Sequence, residues 1–138
     1  MKSRLQLGGH PLHAMVVAYP IGLYTTALVC DLLYLVLGEP FWFRMAYWAI
    51  VFGLVTHVAA AMTGLPDFFA LMRERQERPG LNDARRAASS HLVFGVGLLV
   101  VQGVNLAVRN GGEVAGVPIA MPVIVNVVAM GLVGVQGW

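Results

Sequence analysis

The sequence predicts an all-α integral membrane protein, a four-helix bundle with up-down topology. Hydrophobic residues make up 58% of the 138 residues and charged residues only 12%, whereas about a quarter of an ordinary soluble protein is charged. Four apolar runs each reach the roughly 20 residues that a helix needs to cross about 30 Å of hydrocarbon. Short connections between the runs make consecutive helices antiparallel neighbours. The chain is therefore expected to form one membrane domain over residues 1–138.

The first helix is predicted over residues 12–37. It is longer than the apolar core of a signal peptide, which has about 7 to 15 residues, and no cleavage site follows it. At about 100° per residue, four of its side chains fall within about 20° of one line along the helix. These are His13, Pro20, Tyr24 and Asp31. This stripe is expected to face the bundle, with Asp31 in contact with water near the outer end.

The other three helices are predicted over residues 43–72, 88–108 and 117–138, and each has a face of polar and small residues. These faces consist of His57, Ala60, Gly64 and Asp67; of His91, Gly95, Leu98, Gln102 and Asn105; and of Asn126, Gly134 and Gly137. Polar residues within a span face the bundle, and small residues let helices approach closely. His57 lies about 20 Å from the inner end at 1.5 Å per residue, so we expect a structural imidazole bonded to a neighbouring carbonyl.

The distribution of basic residues predicts the orientation. Seven lie on one side of the four spans and two on the other: Lys2, Arg4, Arg73, Arg75, Arg78, Arg85 and Arg86 against Arg44 and Arg109. The positive-inside rule then places both termini and the loop between the second and third helices in the cytoplasm. Acidic residues within that loop argue against nucleic-acid binding, and a single cysteine excludes an internal disulfide.

Histidines from different helices are expected to share one layer near the cytoplasmic side. His13, His91 and Asp67 each lie within roughly 10 Å of that surface at 1.5 Å per residue, and His10 lies just outside it. A b-type haem would use His13 and His91 as axial ligands, with Arg4, Arg85 or Arg86 near its propionates. A single transition metal would instead use His10, His13, His91 and Asp67. The third alternative is that the histidines are structural and satisfy backbone groups at a helix entrance.

Of these alternatives, the haem interpretation is the one we adopt, with His13 as a ligand and His10 tuning or closing the site. Asp67 is expected to accept a hydrogen bond from a histidine of the layer or to pair with an arginine such as Arg4 or Arg85, because an unpaired carboxylate in a span is costly. The sequence contains no set of nucleophile, base and orienting residue, so a carrier is favoured over an enzyme.

The segment "HPLHAMVVAYPIG", a later "GLPDF" and then "ARRAASSHLVFGVGLLVVQGVNLAVR" resemble a bacterial family of four-helix membrane proteins of unknown function. Its members open the first helix with an HPxH-like motif, and some are fused to Rieske-type ferredoxin domains. Relatives usually continue into a glycine-rich tail after the fourth helix, so the tail is expected to be absent here or the sequence to be incomplete. The resemblance implies the bacterial inner membrane and a link to electron transfer.

Two functions follow as expectations. The first is a membrane-embedded electron-transfer protein or subunit that binds haem b. The alternative is a non-catalytic accessory subunit that packs against a larger membrane complex, with histidines that are structural or bind a non-haem metal. The expected partners are the lipid bilayer and a larger complex, a redox partner or a second copy of the chain.

Overall fold

A computed structural model of the protein describes residues 6–7, 10–75, 79–115 and 120–136. Its elements are β1 (Gln6–Leu7), β2 (His10–Pro11), α1 (Leu12–Val16), α2 (Ala18–Leu37), α3 (Pro40–Arg73), α4 (Leu81–Ala115) and α5 (Ala120–Gln136). The two short strands pair antiparallel, and nearly all the rest of the described chain is helical. The predicted all-α bundle is confirmed.

The helices close into a ring. Each of α2, α3, α4 and α5 contacts the next one along the chain, and α5 contacts α2. Three spans are long and apolar enough to cross a membrane, and α5 contains a shorter apolar stretch: Leu12–Leu37, Pro40–Arg73 and Leu81–Asn110, with Met121–Gly131. Large apolar side chains point outward, as in Val36, which is 80% exposed. Such a surface suits hydrocarbon rather than water.

Pro20 explains why the first span is divided into α1 and α2. Proline has no N–H to donate to the carbonyl four residues earlier, and its ring crowds that carbonyl. The carbonyl in question belongs to Val16, where α1 ends. Val17 keeps helical dihedrals of φ −62° and ψ −23°, so the span remains one rod. It ends at Gly38, whose φ of +70° suits a glycine after a helix.

The second and third spans differ from their predicted bounds. Helix α3 begins at Pro40 rather than at residue 43, and α4 covers Leu81–Ala115 rather than residues 88–108. The prediction followed apolar residues alone, whereas α4 carries its helix through a polar first turn that contains Asp83. The predicted fourth helix, residues 117–138, corresponds to α5, and its residues 117–119 and 137–138 lie outside the described residues.

Arg85 joins α3 to α4 at the turn between them. Its guanidinium donates to the carbonyl oxygens of Leu71 at 3.4 Å, Met72 at 3.5 Å and Glu74 at 2.6 Å. The last carbonyls of a helix have no partner within the helix, and a basic side chain satisfies them. We call this end of the bundle the α3–α4 end and the other the α2–α3 end.

The buried apolar residues form two clusters at different depths. The cluster nearer the α2–α3 end comprises Ala27, Cys30, Ala46, Ala49 and Ile50. The second cluster lies in the middle of the bundle and comprises Tyr24, Leu98 and Ala129. We call the second cluster the middle layer. It separates two groups of polar side chains, and these groups are the candidate sites.

Candidate functional site

His13 is held by the backbone of α3. Its Nδ1 lies 2.8 Å from the carbonyl oxygen of Ala60. A carbonyl only accepts hydrogen bonds, so Nδ1 carries the proton and donates it. In the neutral imidazole, Nε2 then keeps a free lone pair. Histidines that bind metals commonly have their other ring nitrogen fixed to a carbonyl in this way.

Gly64 provides the space in which this imidazole lies. A Cβ built on Gly64 would come within 2.8 Å of His13 Nδ1 and 2.9 Å of its Cε1. Atoms at such distances clash, so the ring of His13 packs directly against the backbone of α3. The small residues predicted on this helix therefore admit a side chain from the first span rather than only a neighbouring helix.

His91 reaches His13 from α4. The two ring centroids are 5.9 Å apart, and the ring planes are nearly perpendicular at 86°. His91 is exposed and His13 is half-buried, so the pair opens to the surface of the bundle. The structure therefore brings together the two histidines that the sequence singled out.

His57 lies close to this pair, and its hydrogen-bond partner is not the neighbouring carbonyl that we expected. Its Nδ1 lies 3.2 Å from the hydroxyl of Tyr24, so its partner is a side-chain hydroxyl and not a carbonyl. A Cβ built on Gly95 would be 3.8 Å from His57 Nε2. Gly95 is one helical turn from His91, which places His57 about one turn deeper than the pair.

The other predicted members of the layer lie further out. His10 is exposed on β2, and Asp67 is half-buried on α3, three residues beyond Gly64; both have interaction partners. Within the described residues, no group of three or more His, Cys, Asp or Glu side chains is arranged to hold a metal ion. Arg85 is engaged with the end of α3, and Arg4 lies outside the described residues.

A second polar group lies on the other side of the middle layer, and it is fully buried. Arg109 Nη2 donates to Asp31 Oδ2 at 2.5 Å, and the Nδ2 of Asn126 donates to the same oxygen at 2.9 Å. Arg109 Nε donates to Asn105 Oδ1 at 3.0 Å. Asn105 donates to Gln102 Oε1 at 3.2 Å, and Gln102 donates to Asn126 Oδ1 at 3.0 Å. The five side chains thus form a closed ring of hydrogen bonds, which we call the polar ring.

The expectation that Asp31 faces water is wrong. Asp31 is 0% exposed and Arg109 only 3%, because each neutralises the other inside the bundle. A buried charge is tolerated when it is paired and hydrogen-bonded.

Residues 9–138 match a family described as "Predicted membrane protein (DUF2231)". The chain belongs to the DUF2231 family. The match covers every residue of the histidine cluster and of the polar ring. No curated protein and no solved structure matches the chain.

In this DUF2231 protein, Arg109 belongs to a buried polar group that the sequence analysis did not predict. The sequence analysis places it among the outer basic residues that set the orientation. Its spacing contained the signal: Gln102, Asn105 and Arg109 follow one another by three and four residues, so they lie on one face of a helix. An arginine that continues an inward polar stripe, at the depth of an aspartate on another helix, predicts a buried pair.

Proposed function

We propose that this protein is a membrane-embedded electron-transfer protein or subunit that binds a b-type haem, which His13 and His91 would hold. The observation that carries the proposal is the hydrogen bond from His13 Nδ1 to Ala60 O. It reserves Nε2 for a ligand and orients a ring that faces a second imidazole.

The two imidazoles are close enough to hold one group together. Their ring centroids are 5.9 Å apart, so His13 and His91 would be the residues that hold the haem. A haem iron takes its other ligands from the porphyrin, so two histidines are sufficient. This favours haem over a lone metal ion, which needs three or four protein ligands.

The protein orients the imidazole of His13 and leaves the histidine pair open to the surface of the bundle. The carbonyl of Ala60 fixes the tautomer of His13 and increases the basicity of the ligating nitrogen. Gly64 lets the imidazole lie close to α3. His91 is exposed, so a bound group would enter the site from the surface of the bundle. When bound, haem supplies a one-electron redox centre whose potential depends on its axial ligands and on burial.

We infer an electron-transfer role and a redox partner in keeping with the expectation that some relatives are fused to Rieske-type ferredoxin domains. We place the protein in the bacterial inner membrane with the α3–α4 end toward the cytoplasm, on the basis of its basic loop. His10 and Asp67 lie on the α3–α4 side of the axial pair, and in this proposal they tune its surroundings.

The test is an absorption spectrum of the detergent-purified protein, produced in cells supplied with iron and a haem precursor. We expect a reduced-minus-oxidised signal of low-spin haem and about one iron per chain by elemental analysis. Both His13→Ala and His91→Ala should abolish the signal, because bis-imidazole ligation needs both rings.

His57→Ala is the matched control, since it removes an imidazole one turn away that bonds to Tyr24 rather than to the site. It should keep the haem signal and lower only the stability. A signal that survives in both His13→Ala and His91→Ala contradicts the ligand assignment. No signal in the parent protein contradicts the haem proposal and favours the accessory subunit.

A further inference from the structure

The carbonyl that holds His13 also accepts a hydrogen bond from a threonine. The oxygen of Ala60 lies 2.8 Å from His13 Nδ1 and 2.8 Å from the Oγ1 of Thr63. In an α-helix the same oxygen is the acceptor for the N–H four residues on, which here belongs to Gly64. A carbonyl oxygen has two lone pairs, so three donors compete for two acceptor positions. Each bond to this oxygen is therefore weaker than it would be with fewer donors.

Thr63 differs in this respect from the other threonines of the chain. All four bond to a carbonyl three or four residues earlier in their own helix, as threonine commonly does. The pairs are Thr25 with Ile21, Thr26 with Gly22, Thr56 with Phe52 and Gly53, and Thr63 with Ala60. Of these carbonyls, only that of Ala60 is also bonded by a side chain from another helix among the described residues. The hydroxyl of Thr63 is thus linked to the imidazole of His13 through one shared oxygen.

We propose that Thr63 is a positioning residue for His13: its hydroxyl competes for the carbonyl of Ala60 and so limits how strongly that carbonyl draws the Nδ1 proton. This inference rests on the haem site proposed above. A strong bond from Nδ1–H to a carbonyl makes the other ring nitrogen more basic, and a more basic imidazole favours the oxidised form of a haem. Thr63 therefore keeps His13 a weaker donor and the reduction potential higher, since hydrogen bonding around the site is one of the factors that set that potential.

The first measurement follows the hydrogen bond itself and needs no haem. Nuclear magnetic resonance of the full chain in detergent, with isotope-labelled histidine, gives the chemical shift of the proton on His13 Nδ1. Reducing conditions keep the iron of any bound haem diamagnetic, and His13→Ala identifies the resonance by its absence. We expect Thr63→Val, which keeps the branched shape and removes the hydroxyl, to move this proton downfield, because its bond to Ala60 becomes stronger. Thr63→Ser keeps a hydroxyl and should retain the parent shift.

Thr56→Val is the matched control. Thr56 lies two helical turns from Thr63 on the same face of α3 and is also half-buried. Its hydroxyl bonds to carbonyls of its own helix, and neither of these carbonyls holds His13. The loss of this hydroxyl should therefore leave the shift of the His13 proton unchanged.

The second measurement is the midpoint potential of the haem, from a redox titration of the absorption spectrum. Thr63→Val should lower the potential. Because only one hydrogen bond changes in strength, we expect about a threefold change in the preference for the oxidised form, which is about 28 mV at about 59 mV for each factor of ten. Thr63→Ser and Thr56→Val should keep the parent potential.

The two measurements separate this inference from the proposed function. A downfield shift in a protein that shows no haem signal would support the competition at Ala60 and contradict only the haem proposal. An unchanged or upfield shift in Thr63→Val would overturn the role of Thr63 whatever the haem spectrum shows, and so would an equal shift in Thr56→Val. A downfield shift with an unchanged haem potential would overturn the link from Thr63 to the redox centre.

Discussion

Asp31 shows how a single side chain depends on its partners within a bundle. Its carboxylate is 0% exposed, and one of its oxygens accepts hydrogen bonds from both Arg109 and Asn126. Removing one partner of a buried ion pair leaves the other as an uncompensated charge, which costs more than the pair itself contributes. The stability of the polar ring is therefore expected to be sensitive to the charge on Asp31.

We expect Asp31→Asn to lower the free energy of unfolding by about 3 to 5 kcal/mol, because Arg109 would remain buried without its counter-charge. Thermal or denaturant unfolding in detergent measures this change. Asp83→Asn is the control, since Asp83 is an exposed carboxylate in the first turn of α4. It should lose only about 0.3 to 1 kcal/mol of helix-dipole interaction. Equal losses in the two variants would show that the pair does not stabilise the fold.

The sequence predicted part of the histidine site, residue by residue. His13 and His91 head polar stripes on two helices, and the structure brings their rings together. The partners of His13 and His57 could not be predicted, because a backbone carbonyl and a tyrosine hydroxyl are chosen by the rotation of each helix about its axis. Helical periodicity shows which face points inward, but it does not show which atom that face meets.

Helices α2 and α3 pack closely because α3 has glycines where side chains of the first span arrive. A Cβ built on Gly53 would lie 2.5 Å from Tyr24 Cε1, and one on Gly64 would lie 2.8 Å from His13 Nδ1. Glycine normally weakens a helix by about 0.5 to 1 kcal/mol relative to alanine. At these two positions the close contact outweighs that loss.

We expect Gly53→Ala and Gly64→Ala each to destabilise the protein by about 1 to 3 kcal/mol, since overpacking a tight contact displaces side chains. Gly97→Ala, where nothing lies within 4 Å of the added carbon, should be neutral or stabilise α4 by up to about 1 kcal/mol. Unfolding midpoints of the three variants test the difference. Similar effects at all three positions would contradict the role given to close packing.

Element boundaries show a limit of apolar patterning. The prediction began the third helix at residue 88, but α4 begins at Leu81. Helix α3 has 34 residues and is about 51 Å long at 1.5 Å per residue, well beyond the roughly 30 Å of hydrocarbon. Hydropathy marks where a helix meets lipid. It does not mark where the helix ends in water. At the end of α3, the carbonyl oxygens are instead satisfied by Arg85.

Across the whole molecule, the basic residues that the structure describes are concentrated at the α3–α4 end. Of the two outer arginines, Arg109 is buried and paired with Asp31, so only Arg44 remains as an exposed outer basic residue. This sharpens the asymmetry that the sequence showed. The four-helix architecture and its up-down order followed from apolar runs and short connections. The separation of the polar residues into two groups could not be predicted from these features, because it depends on how the four helices pack together.

We expect Pro79→Cys, in the exposed turn between α3 and α4, to be labelled in intact cells only by membrane-permeant reagents. Glu39→Cys, in the exposed turn between α2 and α3, should be labelled by an impermeant reagent from outside. Cys30 is buried and should contribute little background. Reversed labelling of the two positions would overturn the assigned orientation.

The middle layer of Tyr24, Leu98 and Ala129 affects how charge can move through the interior of the bundle. It lies between the two polar groups, and we expect it to act as an insulator, because an ion would have to lose its hydration to pass. A membrane potential of 100 mV is worth about 2.3 kcal/mol for each charge that crosses the whole membrane. We therefore expect an ion to move between the polar ring and the histidines only with difficulty. The hydroxyl of Tyr24, which bonds to His57, is the polar atom of this layer that lies on the side of the histidines.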